Sequence, residues 1–292
     1  MMFGTNEFSC GVALGLSFGS GRNIFRLTFA VCLLMLLGSA ICQPVLGAAI
    51  NYGDFEGTTV FYTQVTEDAN SIGDDPPMFG APSVTSDSLD FNPVGFSAAS
   101  AGGVADITGG QLSFGIMAKP AHAIQTITLG EGGDTLLAGF GTDATFTAVT
   151  AHIFLDIYEV DFVPLGIPLL GLEFDMTFSP SGGSFGLLSD GGGGPIYSDV
   201  WEGSIVMNVA QILANNNILF EKGATKVSIN LDNTLVALSQ ANTQSLIAKK
   251  QFGGLTITVN GGPGGEIPEP STMILVGVGL LGLFVGRRAR IE

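Results

Sequence analysis

Apolar and polar side chains alternate along several stretches of this chain. Leu172, Phe174, Met176 and Phe178 fall on one side of an extended segment, and Glu173, Asp175 and Thr177 on the other. Val227, Ile229 and Leu231 alternate in the same way with Ser228, Asn230 and Asp232, and Leu255, Ile257 and Val259 with Thr256 and Thr258. A period of two is the mark of a half-buried strand, because successive Cβ atoms point to opposite faces. Residues 58–65, 111–118 and 123–129 are rich in β-branched and aromatic side chains, and Lys119-Pro120 separates the last two. Residues 145–160 alternate for long enough to form one long strand or two short ones. One helix is expected around Ser204–Leu213. Strands at fairly regular spacing, joined by Gly, Pro, Asn and Asp, predict a mainly β body built as an antiparallel, jelly-roll-like β-sandwich. Residues 191–194, all glycine, read as a loop or hinge.

The two ends break this pattern. Arg22 and Arg26 precede an apolar core from about Leu27 to Leu37, and Gly47-Ala48-Ala49 offers small residues for cleavage. This is the plan of a signal helix removed on export, with the cut near Ala48 or Ala49. At the other end, residues 271–286 are nearly all apolar or glycine. Sixteen residues make about 24 Å of helix, slightly short of a hydrocarbon layer of about 30 Å. Arg287, Arg288 and Arg290 follow immediately, and the positive-inside tendency holds such a cluster on the cytoplasmic side as a stop-transfer signal. The chain therefore divides into a signal peptide (1–49), a β-rich exported domain (50–260), a Gly-rich spacer (261–266) and a C-terminal tail (267–292).

Pro268-Glu269-Pro270, a glycine-laced apolar helix and a terminal arginine cluster together resemble the PEP-CTERM sorting signal of Gram-negative bacteria. The resemblance implies that an exosortase-like membrane enzyme recognises Pro268, Glu269 and Pro270. It also implies that the short transmembrane helix is a transient anchor and that the arginines halt export. The residue types suit this: two prolines keep the backbone extended and poor in amide donors, so Glu269 is displayed beside the membrane. The plainer reading is a tail anchor with an incidental Pro-Glu-Pro.

Charge narrows the body's partners. The chain has 26 acidic and 10 basic residues and a net charge of −16. Between residues 50 and 265, 22 acidic residues face five lysines and no arginine, giving −17. Such a surface repels phosphate backbones, so no nucleic acid is expected as a partner. All three cysteines, Cys10, Cys32 and Cys42, precede residue 50. The mature body therefore has neither a disulfide nor a thiolate for metal binding or catalysis.

Candidate chemistry is sparse. Residues 182–186 match G-x-S-x-G, but no helix is expected after Ser184, and His122 and His152 both precede it, against the order of that elbow. Glu173 and Asp175 resemble half of a glycosidase carboxylate array, with Asp156, Glu159 and Asp161 as partners from a neighbouring strand. Thr177 stands where a third acid would be, so glycoside cleavage lacks its second group. Asp68, Asn70, Asp74 and Asp75 form an acidic loop that is a weak calcium candidate. Ile72 and Phe79 occupy ligand positions of the EF-hand pattern and exclude that motif. Trp201 is either a core anchor or, with Tyr197, an aromatic platform for sugar. No catalytic residue is assigned. The expectation is an exported surface or matrix protein with a structural or adhesive body in contact with exopolysaccharide. The alternative is a secreted carbohydrate-binding or glycoside-hydrolysing protein.

Overall fold

The computed structural model describes residues 47–71, 73–250 and 255–260, the last of these as backbone. Residues 1–46 of the expected signal peptide, the glycine spacer and the tail with its apolar helix and arginines lie outside the described residues. The body is mainly β, and every strand pairing is antiparallel. Numbered in chain order, the first sheet runs β1 (Ile50–Glu56), β2 (Val60–Ala69), β6 (Ala105–Ala118), β13 (Ala224–Leu238), β8 (Phe146–Val160) and β11 (Ser184–Gly186), with β9 (Val163–Asp175) also paired to β8. The second runs β10 (Thr177–Ser179), β12 (Ile196–Asn208), β7 (Thr126–Ala138), β15 (Leu255–Asn260), β4 (Ser88–Phe91) and β3 (Ser83–Thr85). There β14 (Gln244–Lys249) pairs with β7 and with β5 (Ser97–Ala101).

Alternation explains the core. In β13, Val227, Ile229, Leu231, Leu235 and Ala237 are buried while their neighbours are partly exposed. Both sheets feed one hydrophobic cluster that includes Tyr62, Ile116, Ile153 and Ile229 from the first and Ile127, Leu137, Trp201 and Ile247 from the second. The expected 145–160 strand is a single element. The amphipathic run from Leu172 to Phe178 serves two sheets: β9 ends at Asp175 and β10 begins at Thr177. Met176 between them is buried and donates its N–H to the Ala151 carbonyl at 3.0 Å.

One expectation needs correction. The stretch from Ser204 to Asn208 is strand, and the helix α1 occupies Val209–Asn215. Every residue from Ile196 to Asn208 has a partner on β7, ending at Asn208↔Thr126. The ladder thus outlasts the local helical period. The helix starts where Asn208 leaves the sheet, its side chain accepting the Gln211 N–H at 2.9 Å as an N-cap. The start of β9 also escaped the pattern, because Pro164 and Pro168 interrupt it. Prolines are tolerated on an edge strand, and β9 pairs only with β8 among the described residues.

The β8–β9 turn holds Asp161 and Phe162 at φ 52° and 64°. A two-residue hairpin turn of the I′ type has positive φ at both residues, and neither of these is glycine. The Asp161 carboxylate offsets that cost by accepting the N–H groups of Glu221 (2.7 Å), Lys222 (2.7 Å) and Gly223 (3.0 Å). Partial burial favours its neutral form, yet these donors outweigh burial and hold the carboxyl below its ordinary value. A depressed carboxylate contributes stability above the unfolded pKa, about 3.9, and that stability is lost as pH falls through the folded value. Asp161→Ala should therefore lower the melting temperature at pH 7 by about 2–4 °C, the response of a chain this size to ~1 kcal/mol. The gap to the parent should close below about pH 4. A gap that stays constant down to pH 2 would show that the charge is not responsible.

Candidate functional site

Register carries one row of polar side chains across the outer face of the first sheet. Asp68 of β2 lies opposite Gln111 of β6, Gln111 opposite Asp232 of β13, Asp232 opposite His152 of β8, and His152 opposite Asp175 of β9. At about 4.8 Å per strand the row is about 19 Å long. The next row reads Thr66, Ser113, Asn230, Phe154 and Glu173. Two acidic regions far apart in sequence, the loop after β2 and the end of β9, thus share one face. Asn70 of that loop donates its side-chain N–H to Asp232 of β13.

At the β9 end, His152 Nδ1 lies 2.6 Å from Asp175 Oδ1, with both side chains exposed. One ligand atom each from His152, Glu173 and Asp175 lies within 4.8 Å of the others. The sequence placed Glu173 and Asp175 on one face but gave no reason to bring His152 to them. Both carboxylates project from the same side of one open strand, so they would meet a sugar from one side. Glycoside cleavage needs a nucleophile and a separate acid. Their proposed neighbours are engaged elsewhere. Asp156 accepts from Gly171 N–H at 2.7 Å and Tyr158 O–H at 3.0 Å, Glu159 lies 4.0 Å from Lys226, and Asp161 holds the 221–223 backbone. A shallow groove of about 520 Å³ takes in part of that second row, lined by Thr66, Ser113 and Asn230 together with Tyr158 and Ser228.

Of the calcium candidates, Asp68 lies on β2, and Asn70, Asp74 and Asp75 lie in the segment that follows. Asp68 accepts the Ala69 N–H at 2.8 Å, and Asp74 accepts the Gly109 N–H at 2.9 Å. Burial pushes the Asp74 carboxyl above its ordinary value against that hydrogen bond, and the charges of Asp106 and Asp75 add to the rise. Among the described residues, Asp68, Asp74 and Asp75 do not bring three carboxylate oxygens within 4.8 Å of one another.

The outer face of the second sheet carries a larger groove, about 760 Å³, floored by Gly130 and Gly132. Asp134, Val200, Glu202, Ser204 and Lys250 line it, and Lys250 pairs with Asp134. Glu202 lies across from Gly132, and Asp134 across from Val200, so the two carboxylates are diagonal neighbours. Trp201 points the other way: it is 1% exposed and packs edge-on against Phe178 at 5.9 Å. It is a core anchor, not a platform. Ser184 lies on the short strand β11 with turns after it, so the nucleophile elbow's helix is missing. His122 precedes β7, in a different sheet from His152.

With the body defined as a mainly antiparallel β unit with open polar faces, comparison places the tail. The PEP-CTERM protein-sorting motif family matches residues 266–290, a span that contains Pro268, Glu269, Pro270 and the three arginines. The chain carries that motif. No curated protein matches the chain. Among solved structures, the enzymatically active domain of bacteriophage CBA120 tailspike protein 4 is 10% identical, with a TM-score of 0.20 over 74% of this chain and 19% of that one. The chain thus spans about a fifth of the tailspike domain. TmCBM61, solved in complex with β-1,4-galactotriose, is 8% identical, with a TM-score of 0.20 over 73% of this chain and 88% of that one. Endoglucanase 3 of Trichoderma harzianum, from family GH12, is 7% identical, with a TM-score of 0.19 over 76% and 100%. Similarity this low leaves the body's role to its own residues. Among the described residues no helix is long and apolar enough to cross a membrane.

Proposed function

We propose that this is an exported surface or extracellular-matrix protein, delivered to the cell envelope by an exosortase-like membrane enzyme through its C-terminal signal. The sorting motif at residues 266–290 carries this reading. In it Pro268, Glu269 and Pro270 are the recognition element, the apolar run is the membrane anchor during processing, and Arg287, Arg288 and Arg290 hold the end inside. The body, a jelly-roll-like sandwich in this reading, is structural or adhesive. Its polar first-sheet face, rich in Ser, Thr, Asn and Asp, is suited to hydroxyl-rich exopolysaccharide. Strong negative charge keeps it soluble outside the cell and away from anionic polymers.

Replacing Pro268, Glu269 and Pro270 together by alanine should leave export intact but shift most of the protein from its final envelope location to the inner-membrane fraction. Fractionation combined with mass spectrometry of both mature termini reads this directly. Identical distribution and identical termini in mutant and parent would defeat the sorting assignment. The groove between Asp134 and Glu202 supports the alternative, a glycan-binding or glycoside-hydrolysing body. Release of reducing sugar from a polysaccharide by the parent, abolished in Glu202→Gln, would favour that alternative over the structural role.

A further inference from the structure

We propose that His152, Glu173 and Asp175 bind a divalent transition-metal ion of the zinc type on the outer face of the first sheet, with Asp232 adding charge from the neighbouring strand. Three observations converge on this. The donor set is one imidazole nitrogen and two carboxylates, already within 4.8 Å of one another. Imidazole with carboxylate suits zinc and its first-row neighbours, whereas calcium and magnesium prefer all-oxygen sets. The side chains also stand on paired strands, with His152 directly across from both Asp175 and Asp232, so the backbone positions are fixed before any ion arrives. Finally, no lysine among the described residues offsets the negative charge there. Among the described residues the ion pairs of lysine go to Glu56, Glu159, Glu131 and Asp134, and none reaches Glu173, Asp175 or Asp232.

The geometric adjustment is small. Zinc ligands at about 2.0–2.2 Å in a tetrahedron stand about 3.3 Å apart. His152 Nδ1 and Asp175 Oδ1, now 2.6 Å apart in a hydrogen bond, must open by less than about 1 Å to admit the ion. Both side chains are exposed and can make that change by rotation alone, with water completing the coordination. The site also has a structural consequence. It bridges β8 to the last residues of β9, one residue before the chain crosses at Met176 into the second sheet. A bound ion would fasten an edge strand at that crossover.

The test is isothermal titration calorimetry of the untagged full-length protein in detergent, with Cys10, Cys32 and Cys42 replaced by serine, titrated with zinc, manganese, calcium and magnesium chlorides in turn, alongside melting curves. Zinc should bind with one ion per chain, at least tenfold more tightly than calcium, and should raise the melting temperature. His152→Ala and Asp175→Asn should each weaken zinc binding at least tenfold and abolish the melting shift, while His122→Ala should change neither. All three are partly or fully exposed substitutions, and far-UV circular dichroism checks that the fold is retained. Cobalt supplies a second readout: visible d–d bands present in the parent and absent in His152→Ala. Absence of zinc binding, or equal zinc binding in parent and His152→Ala, would overturn the assignment. Calcium binding tighter than zinc would overturn it as well. None of these outcomes depends on the sorting tail.

Discussion

Glu67→Ala is expected to cost about 3–5 kcal/mol of folding stability, a large share of the 5–15 kcal/mol that a domain typically has. Glu67 sits inside β2, fully buried, in a strand whose pattern alone asks for an apolar residue there. Its carboxylate accepts the backbone N–H groups of Met78, Phe79 (2.9 Å) and Gly80 (3.1 Å), and the Tyr52 hydroxyl at 2.7 Å. One side chain therefore anchors the segment leading to Phe79, which packs against Phe91 and Phe96 in the core. Removing it strands at least two buried donors at about 1–3 kcal/mol each, and leaves a cavity besides. Burial, then the bond to Glu67 and its charge, push the Tyr52 hydroxyl well above its ordinary pKa. Tyr52→Phe removes only that contact and should cost about 1 kcal/mol. Urea unfolding at pH 7, followed through the chain's single tryptophan, measures both. A loss below about 1 kcal/mol for Glu67→Ala would mean that the 78–80 backbone finds other acceptors.

The second large effect concerns Glu131 and Lys249. Both side chains are fully buried, paired across β7 and β14, and Asn233 of the other sheet donates to the same Glu131 oxygen at 2.6 Å. Lys249 Nζ also lies 5.1 Å from the Phe96 ring centre and 5.4 Å from that of Phe79. Burial pushes the lysine below its ordinary pKa, and Glu131 opposes that shift by charge and hydrogen bond. Lys249→Met leaves an uncompensated carboxylate in the core and should cost about 3–5 kcal/mol. Adding Glu131→Gln removes the stranded charge yet keeps an acceptor for Asn233, and the double variant should recover at least half of that loss. If the double variant is no more stable than Lys249→Met, the destabilisation comes from lost packing around the lysine stem and not from the isolated charge.

Part of this arrangement follows from local pattern. Alternation in residues 111–118, 145–160, 172–178 and 227–232 identifies strands and says which side chains face inward. Trp201 shows the limit, since a single aromatic in a polar stretch does not announce its direction. Gly133 shows it again: a Cβ there would collide with the Ala248 carbonyl and the Trp201 ring, a requirement set by a strand more than a hundred residues away. Glu67, Glu131 and Lys249 look like surface charges in the sequence, and only their distant partners make them interior.

What the amino-acid order determined by itself is the address and the texture: a tail whose tripartite signal is read linearly, and a body of two-residue periodicity carrying a net negative charge. These are properties of neighbours along the chain, so no folding is needed to see them. The tertiary structure alone decided which strands adjoin and in what register. Counting outward from the Val160↔Val163 pair at the turn would set Gly171 opposite His152. Irregularities between Leu155 and Ile157 and between Ile157 and Glu159 shift the ladder until Asp175 stands there instead. Gly171, at φ 64°, lies inside one irregularity and Pro168 inside the other, but neither residue tells from sequence how far the ladder slips. For that reason the pairing of a histidine with two acids was invisible until the strands were laid side by side.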